Sequence, residues 1–238
     1  MRRKFLEMDN MDFTTIVDFD GRKFTMHLVN DTDGKRARPI DSISKTIWKT
    51  KAFYSQNELR RSLDLGWVHK DSVVLDCGAN IGNHSVFWGA HCREVHAFEP
   101  FPEAFKILKQ NVRDNNVPVQ CYNKLLRHTP GKCSLQKSKG YYGSNRFVND
   151  PQGRYEAVTL DEVLDESIKP TFMKIDVEGD EYRLLKGAER IIREHHPVIF
   201  VEVHCSIQNN LDNLILNYLT EFDYELDKDL IMKVKNKS

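Results

Sequence analysis

The sequence predicts an α/β protein with a doubly wound, mostly parallel sheet. An antiparallel strand pair is expected at the C-terminal end and a β-rich extension at the N-terminal end. Three observations carry the prediction. Short apolar runs at 73–77, 94–98, 117–122, 172–178 and 198–204 alternate with amphipathic stretches, the pattern of parallel strands joined by helices on both faces. Val73-Val74-Leu75-Asp76-Cys77-Gly78-Ala79-Asn80-Ile81-Gly82-Asn83 reads as a buried strand, a tight turn and a helix start. Residues 224–226 and 230–234 flank the polar turn Asp227-Lys228-Asp229, as two antiparallel terminal strands would.

The elements follow in order. The first ten residues read as a loose terminus. Residues 13–17 and 23–29 read as strands joined at Asp20-Gly21, a hairpin signal. Asn30 to Gly34 is a polar turn, and it lacks the remaining ligands of a calcium loop. Lys35-Arg36-Ala37-Arg38 is a basic run, read as solvated. A helix is expected over 56–66, packing through Leu59, Leu63 and Leu65 and stopping at Gly66. Phe53 reads as core, while Tyr54 and Glu58 are open between packing and site. Pro102 suits the first turn of a helix whose apolar face is Ala104, Phe105, Leu108 and Val112. Residues 127–155 read as a polar loop or irregular hairpin, rich in lysine and tyrosine over 137–146. That stretch is either an acceptor-binding segment or a variable surface insertion. Thr159-Leu160-Asp161-Glu162 is a capping box, so Thr159 starts a short helix and Asp161 is structural. One helix is expected over 180–194 and another over 207–220.

The turn after Asp76 lacks the fingerprints of two ligand classes, which makes a nicotinamide oxidoreductase the less favoured reading. Read from Gly78, the second and third glycines of a dinucleotide fingerprint fall on Asn80 and Asn83, and no phosphate-cradling loop with Gly-Lys-Ser/Thr is present. The glycines at 78 and 82 let the backbone approach a ligand, and the following helix N-terminus offers unpaired N–H groups. Glu99 closes the next strand, where an acid suits the two hydroxyls of a ribose. Two glycines, an acid before the turn and an acid on the next strand suit S-adenosylmethionine, which has an amino-acid end and a ribose but no pyrophosphate. The expected cofactor contacts are Asp76, Gly78, Ala79, Asn80, Gly82, Asn83, Glu99 and Pro100, with Asn123 near the adenine and Asp176 at the reacting end.

Residues 172–178 carry charge where a buried strand should be apolar. If the strand persists, Lys174, Asp176 and Glu178 share a face, as do Glu202 and His204 on the next strand. Lys174 is expected to pair with Glu202 and Asp176 to lie near His204. Asp176, Glu178 and His204 are the candidate catalytic residues, with three roles open: taking a proton from an acceptor hydroxyl, binding a divalent metal, or orienting loops. Methyl transfer from a sulfonium needs one base and positioning, so the leading expectation is His204 as base with Asp176 orienting it or the acceptor. A metal such as magnesium is not favoured. His84 is a second base candidate, read first as packing.

Val-Leu-Asp-Cys-Gly-Ala-Asn-Ile-Gly (74–82), Ala-Phe-Glu-Pro-Phe-Pro (97–102), Thr-Leu-Asp-Glu-Val (159–163), Phe-Met-Lys-Ile-Asp-Val-Glu-Gly-Asp-Glu (172–181) and Pro-Val-Ile-Phe-Val-Glu-Val-His (197–204) occur in the order seen in FkbM-type S-adenosylmethionine-dependent methyltransferases. The sequence resembles that family over roughly residues 53–205. The resemblance implies a Rossmann-like, class I methyltransferase domain over 53–238 behind an N-terminal β-hairpin extension over 1–52. It also implies O-methylation of a small molecule or a sugar or glycan acceptor. Alternatives are a nucleic-acid or lipid acceptor, or a cofactor-binding interaction module without turnover.

The composition is compatible with this. The chain has 238 residues, 40% of them hydrophobic, and a formal net charge of zero. A neutral chain gives no electrostatic reason to expect nucleic acid. Its five scattered cysteines read as reduced thiols, and no apolar run reaches membrane-spanning length. A cytoplasmic enzyme is therefore expected.

Overall fold

The computed structural model describes residues 13–30, 39–136, 146–202, 211–227 and 231–234. Strands β1 (Thr14–Phe19) and β2 (Arg22–His27) form an antiparallel hairpin. Asp20 and Gly21 both take positive φ at its turn, and the Asp18 carboxylate accepts the Gly21 N–H at 3.0 Å. Helix α1 (Ser42–Thr50) was not legible in its Ser- and Thr-rich sequence; Asp41 caps it by accepting the Ser44 N–H at 2.8 Å. Helix α2 (Gln56–Asp64) buries Leu59, packs Leu63 in part and leaves Leu65 exposed beyond its end.

The core then alternates as expected: β3 (Val73–Cys77), α3 (Asn83–Gly89), β4 (Glu94–Phe98), α4 (Pro102–Asn115) and β5 (Val119–Tyr122). Of the two alternatives for the polar stretch after it, the hairpin holds, within a second sheet that the sequence did not announce. That sheet comprises β6 (Leu125–Leu126), β7 (Gly131–Gln136), β8 (Arg146–Asn149) and β9 (Tyr155–Val158), in the order β6-β9-β7-β8, and β7 and β8 pair antiparallel. Leu125, Cys133, Tyr155 and Ala157 form a small core beneath it, too few apolar residues to stand out in the sequence. Helix α5 (Leu160–Val163) starts at Thr159, whose hydroxyl accepts the Glu162 N–H at 3.1 Å. After β10 (Phe172–Ile175), the single helix expected over 180–194 is two, α6 (Glu181–Lys186) and α7 (Glu189–His195). The break falls at Gly187, where a Cβ would sit 2.2 Å from the Arg127 carbonyl oxygen. Strand β11 (Val198–Val201), helix α8 (Leu211–Thr220) and strands β12 (Tyr224–Asp227) and β13 (Ile231–Val234) complete the chain.

The main sheet has seven strands in the order β12-β13-β11-β10-β3-β4-β5. All neighbours from β11 to β5 are parallel, and β13 runs antiparallel to both β11 and β12. Residues paired in register share a face. Val74 and Phe172 therefore look toward the hairpin, α2, α3 and α4, while Leu75, Met173, Ile175 and Ile199 look toward α5 to α8, and each set belongs to its own apolar cluster. Among the described residues no helix is long and apolar enough to cross a membrane.

The hairpin docks on α4 through two asparagines one turn apart. Asn111 accepts the His27 N–H at 2.6 Å and donates to the His27 carbonyl at 3.1 Å, while Asn115 accepts the Thr25 N–H at 2.8 Å and donates to the Thr25 carbonyl at 2.7 Å. Four residues of helix rise about 6 Å and two residues of strand about 6.7 Å, so the spacings match. The outer edge of β2 is thereby paired. Asn111 also donates to the Ile81 carbonyl, in the turn after β3, at 2.8 Å. Asn111→Ala removes, at a fully buried position, the side-chain amide that bonds three backbone groups. A loss of about 3 kcal/mol in urea unfolding is expected; a loss under about 0.5 kcal/mol would show that the clasp does not hold the hairpin.

Candidate active site

The site forms where the chain switches direction of travel across the sheet. From β3 it crosses by α3 to β4, and from the adjacent β10 it crosses by α6 and α7 to β11 on the other side. Ligands bind at such points, outside the carboxyl ends of the strands. The turn between β3 and α3 is tied to both neighbours. Gly78 and Ala79 donate to the Phe98 carbonyl at 3.0 and 2.9 Å, and Asp176 donates from its N–H to the Cys77 carbonyl at 2.9 Å. Gly78 has φ +90°, and a Cβ there would lie 1.8 Å from the Asp176 carbonyl oxygen. At Gly82, with φ +83°, a Cβ would lie 2.5 Å from Leu108 Cδ1. At both glycines the protein's own atoms occupy the place of a Cβ, so packing alone requires glycine there, whatever ligand the turn's backbone meets.

Charge is concentrated on one face of the strand ends. Lys174 is fully buried, with its ammonium 3.0 Å from Asp176 and 3.9 Å from Glu202, and it pairs in register with Asp76. Burial alone would lower the Lys174 pKa, but the carboxylates of Asp176, Asp76 and Glu202 outweigh it and hold it above its ordinary value. Asp76 is also fully buried. Its Oδ2 accepts the Ser85 hydroxyl at 2.5 Å, and its Oδ1 has no hydrogen-bond partner. Burial raises the Asp76 pKa against the pull of Lys174 and Ser85.

Glu99, nearly buried at the end of β4, accepts the Asn80 N–H at 2.9 Å on Oε2 and the Phe101 N–H at 2.8 Å on Oε1. Each oxygen keeps a second acceptor position. Burial pushes its pKa up to about 7. An orphan buried carboxylate oxygen fits an ammonium, and a carboxylate with two remaining acceptor positions fits a vicinal diol. The sequence expected an acid before the turn and a ribose-binding acid on the next strand for S-adenosylmethionine, and these residues are Asp76 and Glu99.

Other expected residues have different work. Asn83 accepts the Tyr54 N–H at 2.9 Å and donates to its carbonyl at 3.0 Å, so its side chain clasps the segment before α2. Asn123 donates to the carbonyls of Glu99 and Pro100 at 2.8 and 3.1 Å, which holds the backbone under the acid. Lys124 pairs with Glu156 of β9. Phe53 is core, edge-on to Phe24 and Phe87. Asp161 accepts the N–H groups of Arg190 and Ile191 at the start of α7, a structural role. Strand β10 stops at Ile175, so Glu178 does not continue the face of Lys174 and Asp176; it takes φ +55° in a turn with Gly179. Two positive-φ residues in succession end the ladder there. His204, the basic run 35–38 and residues 137–145 lie outside the described residues. Among the described residues no group of three or more His, Cys, Asp or Glu could hold a metal ion.

The sequence reading missed Glu181, which is buried and accepts the Gly179 N–H at 2.9 Å, fixing the turn after Asp176. It missed Arg127 too, buried with its Nε 3.4 Å from Asp180 and bonded to Asn149 of β8 at 2.9 Å. Single buried polar residues carry no periodicity, and only the density of acids over 176–181 hinted at them.

The family model for the methyltransferase FkbM domain matches residues 76–226, more than half of the chain. The chain belongs to the FkbM methyltransferase family. This FkbM-family chain is 27% identical over 183 residues to a hexuronic acid methyltransferase, AglP, of Haloferax volcanii, covering 76% of this chain and 75% of that one. Among solved structures it is similar to a 16S rRNA N2 G1207 methyltransferase of T. thermophilus in complex with AdoMet and guanosine (TM-score 0.52, 14% identity, 96% of this chain and 52% of that one). It is similar as well to a tRNA m1G37 methyltransferase of M. jannaschii (TM-score 0.51, 15% identity, 96% and 59%). The chain thus spans between half and three-fifths of those two structures, which share its fold. A crystal structure of methyltransferase FkbM from Methylobacillus flagellatus KT, of which it spans 51%, also matches (TM-score 0.48, 19% identity, 78% of this chain).

Two predictions follow from this geometry. Gly78→Ala should not leave a competent turn, because both the positive φ and the Asp176 carbonyl oppose a Cβ. The variant should lose binding of S-adenosylmethionine in calorimetry, and wild-type affinity would refute the close approach. Glu99 carries a pH signature. Its ordinary pKa is 4.5 and its folded value about 7, so only the folded chain holds that proton in between. Stability of the wild type relative to Glu99→Gln should therefore fall as pH rises from 4.5 to about 7, by on the order of 1–3 kcal/mol. His84, pushed down from 6.5 to about 3 first by burial and then by Lys174, acts in the opposite sense below pH 6.5, which is why the comparison must be with the variant. Parallel urea midpoints for the two proteins across this range would contradict it.

Proposed function

We propose that the protein is an S-adenosylmethionine-dependent O-methyltransferase that methylates a hydroxyl of a sugar or glycan in the cytoplasm. The observation that carries the reading is the buried Lys174 holding Asp176 against the Gly78 turn. That arrangement puts one oriented carboxylate at the point where a cofactor and an acceptor would meet. The sugar is supported by the relative named for hexuronic acid.

Asp76 Oδ1 would take the ammonium of the cofactor's amino-acid end, and Glu99 its ribose hydroxyls, along the turn from Gly78 to Asn83. When bound, this cofactor supplies an electrophilic methyl carbon on a sulfonium whose thioether departs without needing a proton. The chain's own work is then alignment and removal of the acceptor's proton. Asp176 is fixed by the Lys174 ammonium and by the ladder bond from its N–H to Cys77, so its carboxylate cannot swing away. His204 takes the hydroxyl proton in this reading, with Asp176 orienting it or the acceptor, while Glu178 shapes the loop. No step requires a metal.

Calorimetric titration with S-adenosylmethionine and, separately, NAD tests the cofactor. Binding of the methyl donor alone, weakened at least about ten-fold in Glu99→Ala, is expected. A screen of glucosides, glucuronides and glycan fragments, read by mass spectrometry, should find one acceptor that gains a methyl group. That gain should fall at least about a hundred-fold in Asp176→Ala. A folded protein that does not bind the methyl donor would overturn the assignment. Undiminished transfer in Asp176→Ala would remove Asp176 from the mechanism.

A further inference from the structure

A cavity lies between α2, α3 and the sheet, on the β10–β11 side of the switch point. Glu58, Leu59, Arg61 and Ser62 of α2, Trp67, His84 and Trp88 of α3, Phe172 and Phe200 line it. None of these residues belongs to the 78–83 turn, although His84 directly follows it. The cavity meets the reacting edge at His84, while Phe172 is the first residue of β10, at the strand's other end. Phe200 pairs in register with Lys174, and His84 lies within the electrostatic reach of both Lys174 and Asp176.

Its walls are aromatic and fixed. The Trp88 indole donates to Ser62 at 3.0 Å, Trp88 meets Phe172 edge-on at 5.3 Å, and Trp67 stacks along Phe172 at 6.4 Å. Glu58, Arg61, Ser62 and His84 are the polar residues of its lining. The free volume is about 50 Å³, several times the roughly 10–15 Å³ that one water requires. That is room for a small substituent and not for a whole ring. Apolar walls with a few convergent polar groups are what a ligand subsite presents.

We propose that this cavity is the acceptor subsite and that it holds the exocyclic C6 arm of a pyranose. The C–H face of that arm rests on Phe200 and Trp67, and His84 stands between the arm and Asp176. A hydroxymethyl or carboxyl arm has this chemistry, and a pentopyranose has no arm to offer. His84 stays a neutral imidazole at physiological pH, because burial and Lys174 both disfavour its charged form, so it can accept a hydrogen bond from a sugar hydroxyl. The inference rests on the methyltransferase reading above and sharpens it by naming the part of the sugar that is recognised.

The test is calorimetry on the full chain loaded with S-adenosylhomocysteine, titrated with methyl glucopyranoside, methyl glucuronopyranoside and methyl xylopyranoside. At least one of the first two should bind about ten-fold more tightly than the xyloside, the discrimination one buried substituent provides. Phe200→Trp, which fills the cavity, and His84→Phe should each remove that preference while S-adenosylhomocysteine affinity stays within about two-fold. Two variants are used so that misfolding of one, seen as lost cooperative melting, leaves the other to decide. If S-adenosylhomocysteine binds but the three glycosides bind alike or not at all, or the preference survives both substitutions, the subsite is not here. If the folded wild type does not bind S-adenosylhomocysteine, the methyltransferase reading itself fails.

Discussion

A fully buried ammonium organises the carboxyl edge of this sheet. Lys174 sits in the middle of β10, a strand covered on both faces, where an unpaired charge would be prohibitively costly. Its partners come from three adjacent strands: Asp76 on β3, Asp176 at the end of β10 and Glu202 at the end of β11. Coulombic attraction to several carboxylates, and not any one bond, keeps it charged. The reverse holds for the acids. Asp76 is raised in pKa by its burial, and Lys174 is the first influence opposing that rise. Deleting the lysine would thus leave acids crowded at the switch point, and deleting Asp176 would leave an ammonium short of its nearest partner.

The N-terminal hairpin is joined to this edge more closely than an appended extension would be. Its apolar residues Val17, Phe19, Phe24 and Met26 belong to the same cluster as Phe87, Trp88 and Leu108 beneath α3 and α4. Asn111 connects the backbone of β2 to the carbonyl of Ile81, and Asn83 connects the start of α3 to Tyr54. The turn after β3 is therefore held from outside the sheet as well as within it. A turn that must present a fixed set of atoms gains from this, because a hydrogen bond satisfied by a packed side chain costs less ordering than one made by a loose loop.

The alternation of strands and helices was legible throughout the main sheet, because apolar runs and amphipathic periodicity are collective signals. The bounds of β3 and β4 agree with the sequence reading, and Thr159 and Asp20-Gly21 mark a helix start and a hairpin turn as their chemistry requires. Where one residue overrode a pattern, the reading failed. Gly187 splits a helix that Leu184, Leu185, Ile191 and Ile192 would have continued. Glu178 and Gly179 end a strand whose charge alternation ran on. Helix α1 has only Lys45 and Lys49 as good helix formers, and it relies on its cap and on the buried Ile47. At the site, the sequence named the acids at 76, 99 and 176 together with Asn83 and Asn123 as ligand contacts; the fold brings the acids to the switch point and gives the two asparagine side chains backbone partners. An asparagine that binds a backbone and one that binds a ligand are identical in sequence, and only the fold tells them apart.

The second sheet acquires a role through the same break at Gly187. With no side chain there, the chain between α6 and α7 lies against the Arg127 carbonyl. Arg127 then reaches the buried Asp180 with its Nε and the exposed Asn149 of β8 with a terminal nitrogen. Asp180 precedes α6, and Glu181 beside it fixes the turn that begins at Asp176. A displacement of β8 would therefore strain the Arg127–Asn149 hydrogen bond, and through Arg127 the ion pair with Asp180. The β7–β8 hairpin and the turn after Asp176 are in this way joined through Arg127, by a hydrogen bond on one side and an ion pair on the other.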